Sequence, residues 1–439
     1  MPSLRNALLI AAGAGMAGAG YETAAQDRPL AGDFAEVYRV GGMNAPEWAF
    51  FEGSSDVAFD AAGNLYVLDD EAGHVVVVNP QGGLVRTTGR KGEGPGEFKM
   101  MMDLVVWRDG RFAVSDVGHA AYQVFSADGE FERFVKMSAA EGPMAMLSGA
   151  RTGIKADPLG NALIAQGAPS AMGRMAGMFA EALGGDAEVE DTGVDERGLE
   201  RLGLDGDVAS PTPILQGWRV PREENTQDLS PEDMLDPSAM MGMFGNIRYF
   251  EPGFHWDLLP DGTIAWSDSS AYAIKLARPG GEVIDVLTRP ISPGALTRRI
   301  REATIADAIG EMEREFEDQS ADPELAQARE MMAAMMPDMM ETMREEAENR
   351  EFYEEIPVVR GVRATWDGGL WIQRGGEEPW DEEGPIDVFG ADREYVGTFA
   401  AGAPEMPAAF GPDGLVVYWE FDEMDVPTVV VKRLPGEGR

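Results

Sequence analysis

Short apolar runs divided by turn-forming residues dominate the chain, and between residues 54 and 131 one such arrangement is written twice in succession. In the first copy Val57–Phe59, Leu65–Leu68, Val75–Val78 and Leu84–Thr88 are β-rich runs, separated by AAGN, DDEAG and NPQGG. In the second, Leu104–Trp107, Phe112–Ser115, Ala121–Phe125 and Phe131–Val135 take the same places. Gly63 is followed by Asp69 and Gly82, and Gly110 by Asp116 and Gly129, at offsets of six and nineteen in both copies. Gly262, Asp268 and Gly281 repeat these offsets far downstream. Four short strands joined by tight turns predict one small antiparallel sheet, which must bury its faces on neighbouring sheets.

The rest of the chain supplies those neighbours. GIKADPLGNALIAQ (153–166) opens a third unit, HWDLLPDGTIAWSDSSAYAIKLARPGGEVIDVL (255–287) is a fourth, and VRATWDGGLWIQR (362–374) with IDVFGADREYVGTF (386–399) a fifth. The sixth, AAFGPDGLVVYWE (408–420) and TVVVKRL (428–434), has only three evident strands. FAEVYRV (34–40) alternates apolar and polar residues and stands alone, so it can provide the fourth and close a ring without a free sheet edge. The fold class that follows is all-β, a six-bladed β-propeller over residues 34–439.

Two stretches break the pattern. Residues 167–246 are irregular and rich in Gly, Met, Pro and acidic residues, with helix-like fragments such as MGRMAGMFAEAL (172–183). The outer strands of unit three are expected near their end, at ILQGWRV (214–220) and IRYF (247–250). Residues 291–355 predict a helical, Met-rich insertion acting as a lid. Ile300, Ile305, Ile309, Met312 and Phe316 fall at helical spacing, and Pro323, with Asp322 as cap, opens a second helix that Pro337 should kink or split. Both insertions and a short acidic detour at 375–384 follow second or fourth strands, which places them on one face, over the mouth of the central channel.

GNLYVLDDEAGHVVVVNPQG and GRFAVSDVGHAAYQVFSADG resemble the strand, Asp turn and strand of NHL-type repeats, and GRKGEGPGEF resembles their interblade link. The resemblance covers residues 54–135, and more loosely 255–287 and 360–434. It implies a closed propeller of a kind usually used for binding. Some members of that family are enzymes, among them a metal-dependent amidating lyase. Six-bladed gluconolactonase-like hydrolases share the architecture but not this repeat signature.

Charge narrows the partners. The chain of 439 residues carries a formal net charge of −41, which opposes nucleic acid and anionic membrane surfaces. A protein, peptide or small-molecule ligand remains. Arg5, the small and apolar run from Ala7 to Ala19, and Thr23-Ala24-Ala25 read as a signal peptide spanning residues 1–25, with export to the periplasm or medium. The chain has no Cys, which removes disulfides and thiolate chemistry, and no later stretch is expected to anchor in a membrane.

Seven residues before each turn glycine lies the mouth of each inner strand: Asp56, Asp103, Gly153, His255, Gly361 and Pro407. Asp56, Asp103 and His255 could together hold a divalent metal such as Ca²⁺ or Zn²⁺. His74 and His119 occupy matching turns on the same face, so all three histidines are ligand-face candidates. The competing reading is turn capping by Asp and inherited repeat positions for His. Asp69, Asp116 and Asp268, at the ends of second strands, are expected to accept backbone N–H bonds. The run Met331, Met332, Met335, Met336, Met339, Met340 and Met343 reads as apolar packing, with Cu(I) ligation as the sharper alternative. Function is thus expected to be binding through this loop face; the alternative is a metal-dependent hydrolase or lyase of the propeller type.

Overall fold

The computed structural model describes residues 27–51, 53, 56–139, 151–167, 194–221, 248–321 and 336–435. The expected signal peptide, the fragment 172–183, the Asp322–Pro323 cap, and Met331, Met332 and Met335 lie outside them.

Six four-stranded antiparallel sheets make up the body of the protein. The first strand in the chain, β1 (Ala35–Gly41), belongs to the last of them. Blade one is β2 (Val57–Phe59), β3 (Leu65–Asp69), β4 (His74–Val78) and β5 (Leu84–Thr88). Blade two is β6 (Met101–Val106), β7 (Phe112–Asp116), β8 (Ala121–Phe125) and β9 (Phe131–Lys136). Blade three is β10 (Thr152–Ala156), β11 (Ala162–Gln166), β12 (Gly198–Gly203) and β13 (Ser210–Gln216). Blade four is β14 (His255–Leu258), β15 (Ile264–Ser267), β16 (Ala273–Ala277) and β17 (Val283–Thr288). After the short pair β18 (Gly294–Ala295) and β19 (Glu355–Ile356), blade five is β20 (Val359–Ala364), β21 (Leu370–Arg374), β22 (Ile386–Phe389) and β23 (Tyr395–Phe399). Blade six is β24 (Ala409–Phe410), β25 (Leu415–Phe421) and β26 (Pro427–Arg433), with β1 on its outer edge, so one sheet joins the two ends of the chain.

The repeat landmarks have a local cause. Gly63, Gly110 and Gly262 turn between first and second strands at φ of 79–88°, and Gly82, Gly129 and Gly281 between third and fourth at 81–84°. Residues with a Cβ rarely adopt this conformation, so glycine recurs at fixed offsets.

The core of the described residues is divided. Six buried clusters lie one in each space between adjacent blades. Middle strands such as β3 and β4 are packed on both faces and read as continuous apolar runs, whereas the outer strand β5 is mostly exposed. Stacking blade on blade is what removes the faces that one sheet cannot bury alone.

The outer strands of blade three differ from expectation. Residues 198–203 and 210–216 supply them, so only the start of 214–220 is strand. Tyr249 instead joins the 291–355 insertion: it bridges to Phe352, its ring lies 4.8 Å from that of Phe352, and its hydroxyl donates to the Ala347 carbonyl. Apolar content alone could not separate a blade strand from an insertion contact.

The second insertion stands on the two-stranded stem β18–β19, which pairs its two ends. It carries helices α1 (Arg298–Ala321) and α2 (Met336–Asn349), which pack together. Ile300, in the first turn of α1, is fully buried, and Pro337 falls within α2. Strand register places every insertion at one rim: Gln166 pairs with Thr152 and Leu199, Gln216 with Gly198, Ala273 with Thr288, and Arg374 with Val359.

Candidate functional site

The first strands of all six blades line one cavity on the ring axis, of about 610 Å³. Its walls continue into the turns after those strands, at Trp107–Arg111, Pro158–Asn161 and Thr365–Trp366. It therefore runs from Asp56 and Pro407, at the starts of inner strands, to the turns at the rim opposite the insertions.

Five residues before each turn glycine stand Ala58, Val105, Lys155, Asp257, Arg363 and Ala409, and all six line the cavity. They form a layer divided in two. Blades three, four and five supply the charged half, and blades six, one and two supply small or apolar side chains. Asp257 is the hub of the charged half. One carboxylate oxygen accepts from Lys155 Nζ at 2.6 Å and from the Leu258 N–H at 2.8 Å; the other accepts from the Ala364 N–H at 2.8 Å. It thus ties three consecutive blades. Burial lowers the Lys155 pKa and Arg363 lowers it further, while Asp257 and Asp56 work the other way. Lys155 also lies 5.2 Å from the Trp256 ring centroid.

Asp56 faces the same space. Its Oδ2 accepts from the Leu104 N–H at 3.0 Å, linking blades one and two. Surrounding protein raises its carboxyl pKa, offset in part by that N–H and by the charges of Arg363 and Lys155. Asp103 holds the equivalent position on blade two and is pushed up to about 6 by burial and by the Asp56 carboxylate, against a hydrogen bond from Ser115. The pair therefore takes up a proton at a higher pH than an isolated carboxylate does.

His255 sits elsewhere. Its pKa is lowered to about 4, first by burial and then by Arg360 and Arg197. A site between two guanidiniums repels a cation. Among the described residues no three His, Asp or Glu side chains gather as a metal site, so Asp56, Asp103 and His255 do not converge as a ligand set.

His119 is held by the strand-end Asp116, and His74 faces Asp69 at longer range. His119 Nδ1 lies 2.6 Å from Asp116 Oδ2 and its Nε2 3.2 Å from the Glu93 carbonyl; His74 Nε2 lies 3.5 Å from Asp69. Asp116 also accepts from the Lys99 and Met100 N–H groups, and Asp268 from the Trp218 N–H and from Lys275. These carboxylates fasten the loop entering a blade to the end of its second strand, which is the capping role their position suggests.

The charged half of the layer lies two residues further along each inner strand than the positions that the count from the turn glycines singles out. Side chains two apart on a strand share a face, so the same count shifted by two reaches Lys155, Asp257 and Arg363.

No family model matches the chain, and no curated protein matches it. Among solved structures it is similar to a putative exported protein from Bacteroides fragilis, at 10% identity and a TM-score of 0.45 over 93% of this chain and 98% of that one. It is also similar to a member of the DUF4221 family from Bacteroides vulgatus, at 11% identity and a TM-score of 0.43, covering 92% of this chain and 100% of that one. A third is a virginiamycin B lyase from Staphylococcus aureus, at 11% identity and a TM-score of 0.36 over 91% and 99% of the two chains. The propeller assignment itself rests on the strand pairings within the six sheets.

Proposed function

We propose that this protein is an exported, NHL-like propeller that binds a small molecule in its axial cavity, entered from the rim opposite the insertions. The observation that carries this reading is the divided layer at the cavity's inner end. A volume of about 610 Å³ suits a small ligand, and a few fixed polar groups against apolar walls are what such sites present. Ala58 and Ala409 leave room where the charged half supplies direction. Export is supported by the apolar N-terminal run, and the proposed cleavage before Gln26 leaves Asp27, which is paired with two buried arginines, on the mature chain. The insertions at the other rim would then serve a separate purpose, as surface rather than as walls.

A thermal-shift screen of small molecules tests the reading, with hits repeated on Ala58→Trp, which fills the cavity. Hits that vanish in that variant support it. A screen without hits, or hits indifferent to the blocking residue, would count against it.

A further inference from the structure

The charges of the cavity point to the class of its ligand, on the reading that the cavity binds one. We infer that the ligand is an anion with an apolar body, its negative group held by Arg363 beside Lys155.

The chain has 77 acidic and 36 basic residues, yet the cavity is lined by four of each. Its carboxylates are committed. Asp157 accepts from Arg201 at 2.7 Å, Asp109 from Arg111 at 2.9 Å, and Asp257 from Lys155 and two backbone N–H groups. Asp56 accepts the Leu104 N–H. Three of the lining cations are engaged as well, Lys155 with Asp257, Arg111 with Asp109 and Asn161, and Arg108 with the Trp366 carbonyl, and Arg363 is the exception. Arg363 is exposed to the cavity, near both Asp56 and Lys155, and closes no ion pair or hydrogen bond among the described residues. In so acidic a chain a guanidinium left open on a cavity is out of character. Its planar fork of donors fits a carboxylate or phosphate oxygen pair.

The space facing it is apolar. Ala58, Val105 and Ala409 form the other half of the layer, and Trp366, Phe410 and the exposed Leu159 stand nearer the mouth. An anionic head on Arg363 would place the rest of the molecule against these side chains. A cationic head would meet Lys155 and Arg363 instead, with Asp257 already neutralised.

Calorimetric titration with phenylacetate, indole-3-acetate and naphthalene-2-carboxylate, each against its primary amide, tests this. The carboxylates are expected to bind more tightly than the amides by about tenfold or more. Arg363→Met should erase that preference and Arg363→Lys restore part of it, both in protein that melts cooperatively. Amides that bind as well as carboxylates, with both lost in Ala58→Trp, would overturn the anion while leaving the cavity as a binding site. Binding by neither series, or binding that survives Ala58→Trp, would overturn the cavity reading itself.

Discussion

Arg108 of blade two reaches across the axis to Trp366 of blade five, on the far side of the ring. Its guanidinium carbon lies 4.3 Å from the indole centroid, and Nη2 donates a 2.9 Å hydrogen bond to the Trp366 carbonyl. Two opposite blades are thereby joined across the open mouth of the cavity. Arg108 is itself exposed, so the cation–π contact is of the solvent-facing kind, worth up to about 1 kcal/mol.

Arg108→Ala and Trp366→Ala should each lower stability by about 1–2 kcal/mol, with a coupling of about 1 kcal/mol between them. Denaturant unfolding of the two single variants and the double variant measures this. Strictly additive losses would show that the bar across the mouth carries no pairwise energy.

Asp103 should make the fold less stable as pH rises. Its folded pKa, near 6, lies above the ordinary value of 3.8, so between these values the folded state binds more protons than the unfolded one. Stability therefore falls across that window and stays reduced above it. Asp103→Asn should stabilise the protein by about 1–3 kcal/mol at pH 8 and have no such effect at pH 4. Equal effects at both pH values would contradict the assignment.

His255 works in the opposite sense. Its folded pKa, near 4, lies below the ordinary 6.5, so the unfolded state takes up a proton first and stability falls as pH drops through that interval. With only three histidines in the chain, the ring-proton titration is resolvable by NMR. One histidine should titrate near pH 4 and disappear from the spectrum in His255→Gln. A midpoint above 6 for that resonance would show that the imidazole is not held in its neutral form.

Asp27 should act as a latch for the N-terminal segment. Its two oxygens accept from Arg289 at 2.9 Å and Arg374 at 2.7 Å, and both guanidiniums are buried with Asp387. The backbone beside it adds to β23 through Leu30 N–H to the Thr398 carbonyl and Thr398 N–H to the Arg28 carbonyl. Asp27→Ala leaves two buried cations to one carboxylate and should cost about 1–3 kcal/mol, discounted for the partial exposure of Asp27. Its carboxyl pKa is lowered by hydrogen bonds and charge from Arg374 and Arg289, which outweigh burial. The contribution is therefore present above pH 3.8 and lost as pH falls through the lower folded value. Hydrogen exchange at Leu30 and Thr398 should quicken in the variant; unchanged exchange would mean the segment is held by other contacts.

How much of the molecule is legible in the chain depends on the range of the interaction. Turn geometry is decided over four residues, so Gly63, Gly110 and Gly262 mark the blade repeat by their spacing alone. Alternation along β1 and the missing strand of blade six mark the closure of the ring. Asp56 and Asp103 are legible as neighbours at the start of adjacent inner strands, because the repeat fixes that position. The identity of the cavity is not. Lys155, Asp257 and Arg363 come from three blades, about a hundred residues apart in the chain, and become one charged group only when the ring closes. His255 is equivalent to the two aspartates by position, but Arg197 and Arg360 reach it from other segments and reverse its electrostatic character. Sequence determined the blades and their order, since those follow from local turns and apolar periodicity. Tertiary structure alone decided which charges share a space, because Coulomb interactions depend on distance through the fold and not along the chain.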